Sequence, residues 1–277
     1  MKFLAADIGN SSVVIGAFEG DSLSFSFRIA TKKKWTVPSV RETIRLLIQK
    51  HEAVPADFTG SILSSVVPDL TPILAEALKK ITGESTLVLS TKLPPSATGI
   101  DLSRYDAESL GVDRLVDMAA ARELTGGGPF MLCDFGTATT LSVVDCRGVM
   151  TGGMICAGMQ LSLNILSQEA AQLPELTVIE PRDLLGRDTV ACMLNGAVIG
   201  QASMVEGIFD RISSQVPGFQ DADRIITGGY SRFALPYFTR PVRREPDLLM
   251  KGLGVLYRTC LGDGSCPRDG SSGSKFC

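Results

Sequence analysis

The sequence predicts an α/β protein built from a duplicated domain, and three observations predict it. An apolar strand ending in an acid and turning through glycine opens the chain. The same signal returns past the middle, and after each copy short β-rich runs alternate with stretches of helical periodicity. The later copy, Phe130 to Asp145 (FMLCDFGTATTLSVVD), runs from an apolar strand through Asp134 and Gly136 to the small polar residues Thr137, Thr139 and Thr140, then into a return strand. The earlier copy, Lys2 to Phe18 (KFLAADIGNSSVVIGAF), places Asp7, Gly9 and Asn10 to Ser12 in the same order, with Val13 to Ala17 returning. Aligning Asp7 with Asp134 superposes both turns without a gap. Two such hairpins suggest one turn from each half facing a shared cleft.

The first half continues with Ser22 to Ile29, whose alternation reads as a third antiparallel strand. A helix is predicted over Val37 to His51, with Val40, Ile44, Leu47 and Ile48 on one face. Ser61 to Val67 is β-rich and stopped by Pro68. A helix over Asp69 to Ile81 follows, with Asp69 or Thr71 near its start, and then a short strand at Thr86 to Leu89. Thr91 to Arg104 holds Pro94, Pro95 and Gly99, reads as loop, and could cross between halves.

The second half begins with a helix from Val112, its apolar face formed by Leu115, Val116, Met118, Ala119 and Leu124 and its end marked by Gly126 to Gly128. After the central hairpin come a third strand (Val149 to Ile155) and a helix (Gln160 to Ala171). A second helix, Val190 to Ile212, is rich in small residues that let it lie close to a sheet. A strand at Asp223 to Thr227 ends at Gly228 and Gly229, and a last helix spans Leu248 to Tyr257. The expected division is residues 1–114, residues 115–260, and a Gly- and Ser-rich flexible tail at 261–277.

Composition narrows the function. A chain of 277 residues favours two domains, and 44% apolar residues supply ample core. A net charge of −3 and a pI near 5.4 argue against a nucleic-acid binder. The opening MKFLAA is interrupted by Asp7 before a signal peptide can form, so a cytoplasmic protein is expected. No charge stands between Arg147 and Glu169, yet the glycines there fit a buried strand, loop and helix better than a membrane span. Seven cysteines without CxxC or Cys/His pairing indicate neither zinc nor a disulfide scaffold. The single histidine, His51, ends a helix and reads as solvated, so acid–base chemistry falls to carboxylates.

A strand ending in a carboxylate and turning through glycine can present backbone N–H groups to phosphate oxygens beside a metal ion. A plain hairpin with a polar turn has the same local grammar, and it is the second copy that favours a phosphate grip. Two carboxylates beside a triphosphate call for cations, so Mg²⁺ and a monovalent cation are implied. No GxxxxGK[ST] loop occurs and no lysine lies near either turn, which leaves phosphate charge to metal ions. Gly228 and Gly229 suit close backbone approach to a flat adenine or ribose, or an ordinary tight turn. Asp113, in Gly111-Val112-Asp113-Arg114, is the candidate proton acceptor from a hydroxyl, and Arg114 can bind an acidic acceptor's carboxylate as a fork. On residue types alone, that pair also fits a helix-start charge and a surface salt bridge.

Over nearly its whole length, to about Tyr257, the chain resembles type III pantothenate kinases, members of the actin-like sugar-kinase superfamily. The resemblance is carried by ADIGNSS at Ala6, SSVVPDLT at Ser64, GVDR at Gly111, DFGTATT at Asp134, GGMICAG at Gly152, GRDT at Gly186, TGGY at Thr227 and LLMKGL at Leu248. It implies duplicated ribonuclease H-like domains, each a mixed five-stranded sheet flanked by helices, with a cleft between them. It further implies ATP-dependent phosphorylation of pantothenate to 4'-phosphopantothenate, the first step of coenzyme A biosynthesis, in a homodimer that needs Mg²⁺ with ATP and K⁺ or NH₄⁺. Carried over by position, Asp7, Ile8, Gly9, Asn10, Ser11, Ser12, Val13 and Val14 line the ATP phosphates, Asp7 holds Mg²⁺ through them, and Thr137 touches ATP. Asp113 is the proton acceptor. Gly111, Val112, Asp113 and Arg114 hold pantothenate, with Tyr105 and Thr189, the latter across the dimer interface. Asp134 binds the monovalent cation.

The chain departs from the family pattern at three places. Gly9-Asn10-Ser11-Ser12 stands for Gly-Asn-Thr-Asn, Asp106-Ala107 for an Asn-Pro that would stiffen the loop beside Tyr105, and Ala157-Gly158 for Pro-Gly. Two other readings are a kinase of this fold for another small hydroxy acid, and a non-catalytic regulatory relative that kept the nucleotide site.

Overall fold

Strand β1 (Lys2–Ile8) is buried at every position after its first, which requires both faces to be covered. The computed structural model describes residues 1–32 and 34–262; Lys33 and residues 263–277 of the tail expected at 261–277 lie outside it, while Leu261 and Gly262 end the last helix instead. The chain divides into two units. The first comprises Met1–Gly99, Asp106–Ala120 and the described residues from Leu249 to Gly262, and the second Ile100–Tyr105 and Ala121–Leu248. The expected boundary at 114/115 therefore falls inside a helix, and the last helix belongs with the first unit.

In the first unit, β1 pairs antiparallel with β2 (Ser12–Glu19), which pairs antiparallel with β3 (Ser22–Ala30). On its other side β1 pairs parallel with β4 (Ser61–Ser65), and β4 pairs parallel with β5 (Leu87–Val88). One face of this sheet is covered by α1 (Val37–Lys50) and α2 (Thr71–Thr82). Val40, Ile44, Ile48, Leu74 and Leu78 pack there with Leu4, Ala6 and Ile8. Helix α1 starts at a Thr36 cap that accepts from Ser39 N–H, whereas α2 has no side-chain cap, because the apolar Leu70 holds its cap position; Thr71 Oγ1 donates to Ser65 Oγ at 2.8 Å. His51 ends α1 exposed, as expected, with its ring stacked on Phe25 at 4.4 Å. After α3 (Pro95–Thr98), a short helix inside the expected loop, α4 (Val112–Leu124) covers the opposite face.

The second unit repeats the plan. Strand β6 (Phe130–Phe135) pairs antiparallel with β7 (Ala138–Val144), which pairs antiparallel with β8 (Met150–Ala157). Beyond α5 (Met159–Glu169), the helix expected as one piece is α6 (Thr189–Asn195), a π-helical turn at Gly196–Gly200, and α7 (Gln201–Gln215). Strand β9 (Asp223–Thr227) joins β6 in parallel. The short α8 (Ser231–Ala234) leads to β10 (Arg243–Arg244) at the edge, and α9 (Leu248–Gly262) follows. The two sheets run β3-β2-β1-β4-β5 and β8-β7-β6-β9-β10, one topology used twice. The expected duplication is correct, and so is the pair of mixed five-stranded sheets.

Two local expectations fail. Four residues, Gly9 to Ser12, separate the last pair of the first hairpin (Ile8 with Val13), but only three, Gly136 to Ala138, separate Phe135 from Thr139. The turns therefore superpose only with a one-residue gap. The uncharged run after Arg147 is also not buried: most of β8 is exposed, and α5 buries only Met159 and Leu163. No described helix is long and apolar enough to cross a membrane.

Helix α9 fills the first unit's core beside α4: Leu253, Leu256 and Tyr257 pack with Phe3, Ile62 and Val116, and Tyr257 stacks on Phe3 at 4.1 Å. The two helices touch through Gly252, where a Cβ would run into the Val116 carbonyl and side chain. A Gly252→Ala substitution should lower the stability of the chain by about 1–3 kcal/mol, the usual cost of overpacking, although alanine is the better helix former. The midpoint of urea unfolding measures this.

Candidate active site

Asp7 sits one residue from the end of β1, and its parallel register partner is Ser64. Alternation puts both side chains on the face that carries Phe3, Ala5 and Ile62, which α4 and α9 cover. Asp7 is buried, and Ser64 is fully buried. The turn that follows is tied from both sides. Gly9 N–H donates to Ser12 O at 3.0 Å, Thr31 Oγ1 donates to Gly9 O at 2.7 Å, and Arg28 Nη1 donates to Ser12 Oγ at 2.6 Å. The glycine amide is thus engaged within the turn, and the exposed tip consists of Asn10 and Ser11.

Asp113 opens α4 on the same unit. Its Oδ1 accepts from Arg114 N–H at 2.8 Å, and its pKa is raised by burial, which outweighs that hydrogen bond and the Arg114 charge. Gly111 is needed for this arrangement, since a Cβ there would collide with Asp113 Oδ1. Arg114 is buried rather than a surface charge. Asp113 does stand in the first turn of its helix, as a helix-start charge would, but a surface salt bridge does not fit the buried Arg114.

In the second unit Asp134 stands in register with Thr140 on β7 and Thr227 on β9. The arrangement echoes Asp7, with a hydroxyl residue again beside the acid on the parallel neighbour. Gly136 lies against Asp134 Oδ2, and Gly228, at φ +89°, lies where a Cβ would strike Asp134 Oδ1 and the Phe135 carbonyl. The close approach made by Gly228 is therefore to a carboxylate, while Gly229 faces open space. Thr137 is exposed at the turn. Thr139 is not at the turn but in the core, donating to Gln201 Oε1 at 2.7 Å, and Gln201 Nε2 in turn donates to Ala157 O at 2.8 Å. Gln201 is the first residue after the π-helical turn, a residue with no local sequence signal.

Thr189 is the first residue of α6 and is exposed. Asp188 of the same motif caps that helix, accepting from Ala191 N–H at 2.8 Å. Arg187, Thr189, Cys192 and Gln201 help line a cavity of about 660 Å³ within the second unit. Tyr105 is half-buried and belongs to the second unit, whereas Gly111 to Arg114 belong to the first.

The sequence profile of the family described as type III pantothenate kinase matches residues 3–211. A protein of that description from Agathobacter rectalis is 34% identical over 255 residues, 92% of this chain and 96% of that protein. Another from Moorella thermoacetica is 34% identical over 254 residues, 92% of this chain and 98% of that one. The chain belongs to the type III pantothenate kinase family. Asp7, Asp113, Asp134 and Thr189 all fall inside the matched span of this family member, and Gly228 lies beyond it. Among solved structures it is similar to a putative Baf family transcriptional activator from Campylobacter jejuni (18% identity, 95% of this chain, 99% of that one, TM-score 0.54). It is also similar to the ROK hexokinase of Thermus thermophilus (15% identity, 95% and 100%, TM-score 0.50). These two likenesses show the fold.

The raised pKa of Asp113 has a thermodynamic consequence for this kinase-family chain. Its folded value lies above its unfolded one, so its ionised form works against folding at neutral pH. Asp113→Asn keeps an oxygen for Arg114 N–H without the charge. The variant should unfold at a higher temperature than the parent at pH 7, with the difference vanishing below about pH 3.9, the ordinary aspartate value. Thermal melts across pH measure it.

Proposed function

We propose that this chain transfers the γ-phosphoryl group of ATP to the primary hydroxyl of pantothenate, yielding 4'-phosphopantothenate and ADP at the first step of coenzyme A biosynthesis. Membership of the type III pantothenate kinase family, at 34% identity across 92% of the chain, carries this reading. Phosphoryl transfer through a loose transition state asks for positioning and charge stabilisation, with little proton removal until late. Asp113 suits the late proton: burial raises its pKa toward that of the alcohol it serves, and its hydrogen bond to Arg114 N–H fixes its direction. The Arg114 guanidinium receives the pantothenate carboxylate, and Gly111, Val112 and Tyr105 complete the acceptor's surroundings. The first turn, Asp7 to Val14, lines the ATP phosphates, and Thr137 touches the nucleotide.

Among the described residues no three His, Cys, Asp or Glu side chains cluster to hold a metal by themselves. Asp7 and Asp134 each offer one carboxylate to a hard cation that takes six or more oxygens. That donor set fits ions that arrive with phosphate oxygens and water. Asp7 would hold Mg²⁺ through the phosphates, and Asp134, walled by Gly136 and Gly228, would hold K⁺ or NH₄⁺. The cations supply the charge neutralisation that a lysine provides in other phosphate loops.

A homodimer is part of the same proposal. The uncharged run of β8 and α5 leaves Met154, Ile155, Leu161, Ile165 and Leu166 exposed, apolar surface suited to a second copy. Thr189 would reach pantothenate across that interface. The protein would act in the cytoplasm.

Purified protein given ATP, Mg²⁺, K⁺ and pantothenate should release ADP. Failure of pantothenate alone within a panel of small hydroxy acids would instead identify a kinase for another acceptor, and no ADP with any acceptor would identify a regulator. Asp113→Asn should lower kcat by roughly 10²-fold or more while leaving ATP binding within about twofold. In the parent, the acid limb of kcat/KM should lie above the ordinary aspartate range, because Asp113 must be ionised to accept the proton. Ile155→Lys should convert the dimer to monomer in sedimentation equilibrium.

A further inference from the structure

Three serines on β4 differ in what their hydroxyls do. Ser61 Oγ shares a hydrogen bond with Thr86 Oγ1 at 2.9 Å, and Ser65 Oγ is engaged with Val67 and Thr71. Ser64 Oγ, between them and fully buried, has no hydrogen-bond partner among the described residues. A buried hydroxyl left without a partner is costly, and a β-branched residue would suit a central parallel strand better. Valines at 66 and 67 continue the same run. The hydroxyl at 64 therefore works against the resting fold, and its position says what it is kept for. Ser64 is the register partner of Asp7 on the adjacent parallel strand, on the same face, at the carboxyl ends of both strands. In open α/β sheets this is where ligands bind.

We infer that Ser64 is a positioning residue for Asp7, its hydroxyl donating to the Asp7 carboxylate when the metal–nucleotide is bound. This rests on the proposed role of Asp7 toward the phosphates and goes beyond it, because SSVVPDLT carries no assigned site residue. A carboxylate that engages a cation with one oxygen keeps lone pairs on the other. A donor one strand away holds that second oxygen still and fixes the angle of the first. Neighbouring strands lie about 4.8 Å apart, so a change of side-chain rotamer at Ser64 or Asp7 is enough to form the bond. The hydroxyl is held unpaired at rest and finds its partner on loading. Its cost to the empty fold and its benefit to the loaded one are then separately measurable.

The test uses the full chain as the parent, Ser64→Ala, Ser64→Cys and Asp7→Asn. Cysteine keeps the volume with a weak donor and so controls for a cavity. Two quantities are read: the thermal midpoint without ligand, and the Mg²⁺ concentration that half-saturates binding of a non-hydrolysable ATP analogue in calorimetry. Ser64→Ala and Ser64→Cys should melt at or above the parent temperature without ligand, and should need about tenfold more Mg²⁺, the loss of one charge-assisted hydrogen bond. A merely structural serine would move the first quantity down and leave the second alone, and that result overturns the inference. Parent-like Mg²⁺ dependence in both Ser64 variants, with Asp7→Asn impaired, overturns it while leaving the Asp7 reading intact. Parent-like binding by Asp7→Asn overturns both.

Discussion

Parallel pairing on one side of a central strand and antiparallel pairing on the other is the constraint from which the site follows. In both sheets the central strand carries a carboxylate one residue before its turn, Asp7 on β1 and Asp134 on β6. In both, a parallel neighbour brings a hydroxyl residue into register, Ser64 or Thr227. A shift of one residue in either register would turn the acid to the opposite face. The apolar run Phe3 to Ala6 holds the first register by filling two cores at once, and the run Phe130 to Cys133 holds the second with every side chain buried.

Glycines then decide where the carboxylates can point. Gly111 leaves the room that Asp113 occupies, and Gly228, from a turn nearly a hundred residues after Asp134 along the chain, leaves the room for that acid. These two positions do different jobs. Gly228 has a left-handed backbone that a side chain would strain, whereas Gly111 is needed only because its neighbour's carboxylate fills the Cβ position.

Much of this was legible in the residues. Strand periodicity and the repeated acid-glycine turn predicted the duplication, β9 was placed at both ends, and α4 was placed at its start, because those signals are local. What escaped prediction depends on contacts between distant segments. Thr139 looks like a turn residue until Gln201, 62 positions away, takes its hydroxyl into the core. The uncharged run after Arg147 looks buried because low charge usually means burial, yet β8 is an edge strand and α5 shows one side outward. The one-residue difference between the turns is invisible to an alignment anchored on the aspartates, since both turns begin alike and diverge only where the return strand takes up its pairing. The last helix was found, but nothing in its own periodicity says which unit it completes.

That last assignment bears on how the polypeptide comes off the ribosome. Residues of the first sheet precede the rest, yet the face bearing Phe3 and Ile62 shares its cover between α4 and the much later Leu253, Leu256 and Tyr257. The stretch from Ala121 to Leu248 has its own core and can close while the earlier sheet still waits with one face covered by α4 alone. The part synthesised first is thus the part finished last, and through most of translation its apolar face is the one a chaperone would meet.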